Sequence, residues 1–483
     1  MDKLKVLFIL NKMGTMEPFS VPILSALAKN QGHDVKLIIA DKNKRQLLKK
    51  ASLYKPDIIA YSVCSNEAEE YLKINQILKD KLKFFSLFGG PHPTFFPSFI
   101  RKKDIDSICI GEADISFVEF LNSFRNDNRY KTYNFSFKKS NKIIENPLND
   151  LLPDLDRLPF PDRDIIYSQS YFLAQNPVKT FMTGRGCPFN CSYCFNHILN
   201  KMYRSKGKII RLKSVSYLIE EINEVREKYP LKFIKFHDDI FGSNRSWLAE
   251  FADKYPREVG LPFLCLSRPN MLTQEYCRLL KRSGCNSVEI GVECGNEQIR
   301  NNILNRNVKN KHISDGCGYL KQFGINIYTL NMVGLPGETF DDMLSTIKIN
   351  QRNGVDFTDT SIFQPYPGTQ LTDYCMSNGY LKKGIENFQS QFSFSILNFN
   401  DELKNRIYTL HRLFAILVDY PKMVRILPFL FWINRFSFIR YSYNLIYRFY
   451  YGYNLHKRIY ASKIPLLLRF YGGFITVFSK NRV

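Results

Sequence analysis

Acidic side chains are scarce in this 483-residue chain: 45 Asp and Glu stand against 68 Lys and Arg, leaving a net charge of +23. Such a balance favours anionic partners, among them membrane headgroups, nucleic acid and phosphorylated substrates, and says nothing about fold. Long apolar runs are missing too. Even in the aromatic C-terminal stretch, Arg425, Arg435, Arg440, Arg448 and Lys457 break every run before the ~18 to 20 residues that a bilayer crossing needs. The opening MDKLKVLFIL passes into a strand-like pattern without a small-residue cleavage site, so export is not expected and a cytoplasmic location is. No fixed-period repeat stands out. The cysteines do not form the pattern of a disulfide framework, since three of the eleven fall within eight residues while Cys64, Cys109, Cys265 and Cys317 stand singly in apolar stretches. That distribution suits a reducing compartment with one metal site.

What is present is alternation. Hydrophobic residues at 45% and charged residues at 23% are ordinary for globular chains, and the length calls for two or three domains. Over residues 1–145, the runs KVLFIL, DVKLII, DIIAYSV, FFSLF and SICI alternate with amphipathic segments, predicting a parallel sheet covered by helices on both faces. Ligands in such folds sit at the carboxyl ends of strands. Three of those ends are small or polar, at Ser62, at Gly89-Gly90-Pro91-His92 and at Gly111-Glu112. A proline-rich linker occupies 146–177. From 178 to 400, six candidate strands and five helical patterns predict a partial (β/α) barrel. The remainder, 401–483, carries fourteen basic and three acidic residues, a net +11, and is about half aromatic between Phe429 and Tyr453.

The chemistry-bearing motif is TGRGCPFNCSYCFN, with Cys187, Cys191 and Cys194 spaced C-x3-C-x2-C. Three thiolates on one loop can hold three irons of a four-iron four-sulfur cubane and leave the fourth iron open. An open iron can take the amino and carboxylate groups of S-adenosylmethionine (SAM), so that an electron from the cluster breaks a carbon–sulfur bond. Gly184, Gly186 and Pro188 suit a tightly curled loop. The alternatives are a zinc site with His197 as its fourth ligand, and chance clustering.

On these residues the barrel half resembles the radical SAM superfamily, whose signature is C-x3-C-x-aromatic-C; Tyr193 fills the aromatic position. PYPGT, GLPGET, FHDDIF and the stretch from RPNML through GCNSVEIGVE also match, in family order. The resemblance implies that Asp238 or Asp239 faces the SAM amino group, that Glu293 reaches its ribose or methionine part and that Gly334 packs its adenine. Asp238 as a helix cap and Gly334 as a simple turn remain open. The amino-terminal half resembles a cobalamin-binding domain, on Ser62 and Gly89-Gly90 placed 27 residues apart, with GGPHPTFFP, GEAD and the PFP linker typical of fusions to radical SAM barrels. By this resemblance the fold is a flavodoxin-like or Rossmann-like parallel-sheet domain, then a partial (β/α)6 radical SAM barrel, then an α-helical basic aromatic tail. The corrinoid tail would pass between Ser62 and Gly89-Gly90, with His92, Gly111 and Glu112 close by. The loop NKMGTM lacks the D-x-H-x-x-G of histidine-ligating relatives, which excludes histidine ligation of cobalt from that loop. His92 is open to a plainer role as a hydrogen-bonded loop residue, and His33 reads as a turn residue.

The resemblance further implies a 5'-deoxyadenosyl radical, methyl transfer from methylcobalamin to an unactivated carbon, and an external electron donor such as flavodoxin or ferredoxin. Ring closure without methyl transfer and a non-catalytic cofactor module are the alternatives. Methylthiotransfer is set aside, because the amino-terminal domain holds only Cys64 and Cys109. For the tail, three uses compete: a helix pair on an anionic membrane, a lid packed on the barrel, and stacking on single-stranded nucleic acid. Stable nucleic-acid binding is not expected.

Overall fold

The computed structural model describes residues 3–40, 43–140, 142–382 and 392–461; positions 462–483 of the tail lie outside them. The chain divides into two compact units, residues 1–174 with 199–211 and residues 175–198 with 212–483. Most of the proline-rich stretch therefore belongs to the first unit.

The first unit is built on β1 (Lys5–Leu10), β2 (Asp34–Ile39), β3 (Ile58–Ser62), β4 (Phe85–Gly89), β5 (Ser107–Cys109), β6 (Phe135–Lys139) and β7 (Lys142–Glu145), in the order β2-β1-β3-β4-β5-β6-β7. The first five are parallel and in flavodoxin-like order. One face buries Leu7, Ile9, Ile59 and Phe88 against Leu47 and Ala51 of helix Lys44–Tyr54 and Ile74 and Leu78 of helix Ala68–Lys79. On the other face Phe8 meets Phe117 of helix Asp114–Ser123, ring centroids 6.3 Å apart. Burial on both faces is why these strands read as continuous apolar runs. The sequence reading stopped at the fifth strand; β6 and β7 add an antiparallel hairpin beyond it.

In the second unit β8 (Val178–Phe181), β9 (Phe233–Phe236), β10 (Phe263–Ser267), β11 (Cys285–Glu293), β12 (Asn326–Val333) and β13 (Phe357–Ile362) lie side by side in chain order, all parallel. No pairing joins β8 to β13 among the described residues, so the sheet is an open, six-stranded partial barrel. Helices Val215–Lys228, Arg245–Glu258, Gln274–Arg282, Asn310–Gln322 and Phe340–Arg352 intervene. Ser214, Asn244, Thr273 and Thr339 each cap one of them by accepting from the backbone N–H three residues on, each cap contributing about 1 kcal/mol.

The tail packs on this unit. Helix Asp401–Asp419 runs against β13, and helix Ser437–Asn454 packs on that helix. Ile459 is buried among Phe233, Leu264, Tyr328 and Phe357, residues from the beginnings of four strands. Its carbonyl accepts from Asn286 Nδ2 at 2.6 Å and Ser287 Oγ at 2.7 Å. The end of the described chain thus floors the half-barrel, away from the carboxyl ends where the cysteine loop begins. No described helix is long and apolar enough to cross a membrane.

Candidate active site

β8 releases the chain into the loop that carries the three cysteines. Cys187 and Cys191 are buried, Cys194 is partly exposed, and none of the eleven cysteines forms a disulfide. Burial pushes the Cys187 thiol up to about 11 and that of Cys194 to about 12, so a metal that takes them as thiolates must displace their protons. Two cations stand beside the loop. Arg268, the residue after β10, places Nη1 3.6 Å from Cys191 Sγ and its guanidinium 3.7 Å from the centre of the Phe189 ring. Arg306 places Nη1 4.0 Å from the same sulfur. The Nε of each is buried without a partner.

Arg306 also organises the carboxyl end of β11. It pairs with Glu293 Oε1 at 3.1 Å, donates through Nη2 to the Gly291 carbonyl at 2.8 Å, and donates through Nη1 to the Tyr193 hydroxyl. Tyr193 in turn donates to Glu293 Oε1 at 3.1 Å, its phenol held neutral by burial. Glu293 closes its strand at φ +66°, a left-handed conformation that costs a non-glycine residue about 1 kcal/mol or more. Sequence position 193 is therefore fixed to the strand end that the resemblance singled out.

Asp238 follows β9 and is buried. Its Oδ1 accepts three hydrogen bonds, from Thr183 N (2.8 Å), Thr183 Oγ1 (2.7 Å) and Gly184 N (2.8 Å), while Oδ2 is buried without a partner. The next helix is capped by Asn244. Asp238 is thus not a helix cap; it ties down the start of the cysteine loop. Exposed Asp239 accepts from Asn196 Nδ2 at 2.9 Å. His197 sets Nδ1 3.1 Å from the Cys191 carbonyl, and among the described residues no three His, Cys, Asp or Glu side chains are grouped around one metal ion. Gly334 turns at φ +76°, donates its N–H to Glu338 Oε2 at 2.7 Å, and has Ile407 of the tail 3.2 Å from where a Cβ would sit. Both the turn and the close approach of Ile407 require a glycine here.

Burial raises the Asp238 carboxyl from 3.8 to about 7. The folded chain then holds a proton that the unfolded chain has lost, so stability is highest below about pH 4 for this group and falls as pH rises through 7. At about 1.4 kcal/mol per pH unit, the whole window amounts to a few kcal/mol. Asp238→Asn keeps the Oδ1 acceptor and cannot ionise. Thermal melts of the metal-free protein at several pH values should show this downward slope in the wild type and a flatter profile in the variant.

In the first unit, Ser62 and Gly89 are register neighbours on β3 and β4. Gly90 turns at φ +95°, and a Cβ there would lie 2.8 Å from Val63 N and 3.3 Å from Ser62 Oγ. Its carbonyl accepts from Thr94 Oγ1 at 2.8 Å, and that hydroxyl accepts from Gly111 N at 3.0 Å. The three residues named for the corrinoid tail therefore lie together at the carboxyl ends of β3 and β4, where the backbone at Gly90 runs too close to Val63 for any side chain. The other three are committed elsewhere. A side chain at Gly111 would collide with the Tyr203 hydroxyl, Glu112 donates its N–H to Tyr203 at 2.8 Å, and the Glu112 carboxylate holds Arg211 through bonds of 2.5 and 3.0 Å. His92, expected beside the corrinoid, is instead packed inward: its ring stacks on Phe96 at 4.8 Å and meets Phe99 edge-on at 4.6 Å, with Nδ1 3.2 Å from Ser65 Oγ. Burial lowers it to about 4, leaving it neutral. These contacts are those of a hydrogen-bonded loop histidine. His33 accepts from Leu4 N at 3.3 Å in the turn before β2.

Residues 181–349 match the model of the Radical SAM superfamily, and residues 7–121 match that of the B12 binding domain. The chain is a radical SAM enzyme with a B12-binding domain. The uncharacterized methyltransferase PH0819 of Pyrococcus horikoshii is 27% identical over 375 residues, which cover 76% of this chain and 80% of that one. The anaerobic magnesium-protoporphyrin IX monomethyl ester cyclase of Rubrivivax gelatinosus is 23% identical over 375 residues, 74% of this chain and 66% of its own. Among solved structures, the cobalamin-dependent SAM radical enzyme OxsB with aqua-cobalamin bound superposes with a TM-score of 0.69 at 14% identity, covering 93% of this chain and 73% of that one. That likeness supports the fold.

The radical SAM domain fits its cofactor. A cubane held by three thiolates carries net negative charge, and Arg268 and Arg306 supply the cationic shell that such a charge requires. In the B12-binding domain Ser62, Gly89 and Gly90 leave two neighbouring strand ends without bulky side chains, which is compatible with close approach of a ligand to the backbone. Sequence reasoning missed Arg268, Arg306 and Thr183 altogether. The one signal for Arg268 was its place directly after a strand, at the head of RPNML.

Proposed function

We propose that the enzyme C-methylates an unactivated carbon of a lipid-like or secondary-metabolite substrate. The observation that carries this is the presence, in one chain, of a three-cysteine loop approached by two arginines and of a B12-binding domain. The methyltransferase name of the Pyrococcus relative supports it. When bound, the cluster supplies the electron that cleaves SAM to a 5'-deoxyadenosyl radical, and cobalamin supplies the methyl group.

The chain's own residues do the positioning. Cys187, Cys191 and Cys194 hold the cluster; Arg268 and Arg306 neutralise its charge. Asp238 fixes the loop entry; Glu293 offers an acceptor to the amino or hydroxyl groups of SAM, and Asp238 Oδ2 does so once the cationic SAM has displaced the proton that burial keeps on that carboxyl. Tyr193 and Arg306 hold the Glu293 carboxylate in one orientation, so that its acceptor position is set before SAM arrives. An external one-electron donor of the flavodoxin or ferredoxin type feeds the cluster.

The cyclase relative favours a second outcome, ring closure without methyl transfer. The two are separated by supplying SAM with a deuterated methyl group to the reduced, cobalamin-loaded enzyme and the metabolite that lacks one methyl in a deletion strain. A trideuteromethyl product is expected; a dehydrogenated or cyclised product of unchanged carbon count establishes the second outcome.

A further inference from the structure

The tail turns toward solvent a surface that the proposed chemistry does not use. Helix Ser437–Asn454 has two faces. The inward tyrosines are all engaged: Tyr443 donates to the Leu430 carbonyl at 3.3 Å, Tyr447 to Asp359 at 3.2 Å and Tyr450 to Asp419, while Tyr451 shares a hydrogen bond with Tyr328 at 3.1 Å. The outward face carries Phe438, Tyr441, Ile446, Phe449 and Tyr453, from 44% to 67% exposed. Their spacing makes one helical stripe. It continues through Phe436, Trp432 and Phe429, whose successive ring centroids, with that of Phe438, are 6.1 to 6.3 Å apart. Scattered exposed rings need no explanation, but a contiguous ladder marks an interaction surface.

Charge follows the ladder. Between Tyr420 and Tyr460 the chain has seven basic residues and no acidic one. Lys422, Arg425, Arg435 and Lys457 are exposed. The Arg435 guanidinium lies 4.5 Å from the Trp432 ring centre and 5.5 Å from that of Phe436, and Lys457 Nζ lies 5.4 Å from that of Tyr453. The preceding acid, Asp419, is paired with Arg458 at 2.8 Å. Aromatic rings capped by cations are the composition of the headgroup zone of a bilayer.

We propose that this face docks on an anionic lipid bilayer, with the helix lying along the surface, its rings at headgroup depth and its cations among the phosphates. A second copy of the chain is a poor occupant, since pairing the face with itself would set like charge against like. A nucleic-acid strand is disfavoured because the rings run along one helix face and do not line a groove. The proposal rests on the tail alone and can fail without touching the methylation chemistry.

The test uses full-length protein and vesicles of phosphatidylcholine, alone or mixed with phosphatidylglycerol. The protein should float with the mixed vesicles at low salt, bind the neutral ones at least ~10-fold more weakly, and be released as salt shortens the screening length from about 30 Å at 0.01 M to about 10 Å at 0.1 M. The double variant Phe438→Ser, Phe449→Ser should lose flotation while keeping its melting temperature and its SAM cleavage. The proposal is overturned by no flotation with either vesicle, by equal binding to both, or by flotation that survives the double substitution. It is equally overturned by a dimer that the substitutions dissociate, or by a single-stranded oligonucleotide that binds this face in preference to the anionic vesicles.

Discussion

Cys191→Ala should reduce 5'-deoxyadenosine formation below detection in anaerobically reconstituted protein supplied with SAM and a reductant. Each of three thiolates holds one iron, and two cannot retain a cubane whose fourth iron must stay open for substrate. Cys191 carries a second burden, because its sulfur is the one that both Arg268 and Arg306 approach, at 3.6 and 4.0 Å. Cys187→Ala and Cys194→Ala should fail in the same assay, with iron content falling in parallel. Cys317→Ala, a buried cysteine on helix Asn310–Gln322, serves as the control and should cleave SAM normally. Undiminished cleavage by the Cys191 variant would remove the cluster from this loop.

Gly90→Val should abolish cobalamin binding while leaving SAM cleavage in place. The backbone at φ +95° already disfavours a β-branched residue, and its Cβ would lie 2.8 Å from Val63 N, a distance that neither backbone can accommodate without moving. The ends of β3 and β4 would have to shift, and the backbone surface offered by Ser62, Gly89 and Gly90 would be lost. Bound corrinoid is read directly from visible absorbance after desalting, and circular dichroism checks that the variant folds. Gly89 is less confined, with the Cys109 side chain at 3.9 Å and the Tyr61 carbonyl at 4.0 Å from a Cβ, so Gly89→Ala should weaken binding less. In the wild type, the cob(II)alamin spectrum should show no nitrogen superhyperfine splitting, since His92 is packed between Phe96 and Phe99. Splitting in that spectrum would require a nitrogen ligand from elsewhere.

The sequence was most legible where function is encoded by short-range spacing. Cys187, Cys191 and Cys194 declare themselves because one loop must present all three, and the six barrel strands do so because buried apolar residues recur along each of them. The hairpin β6–β7 was missed because FSFKK and KIIE are short and end in charge, which reads as loop. Arg268 and Arg306 were invisible for another reason: they meet Cys191 from 77 and 115 positions away, and an arginine in a loop carries no local sign of the partner it will find. Asp238 shows the same limit in a different form. A carboxylate after a strand has the same acceptor chemistry whether it caps the next helix or clamps the preceding loop, and only the fold, by giving the cap to Asn244, decides between them.

The floor of the half-barrel sets an order in time. Ile459 seals Phe233, Leu264, Tyr328 and Phe357 from water, yet it is made long after the cysteine loop has left the ribosome. At roughly 5 to 20 residues per second, the chain from Cys194 to Ile459 takes on the order of tens of seconds to make, and only the last part of that interval, after β13, holds a barrel without a base. Until Ile459 arrives the beginnings of those strands stay open to water, so the base of the half-barrel is the last part of the described sheet to become dry.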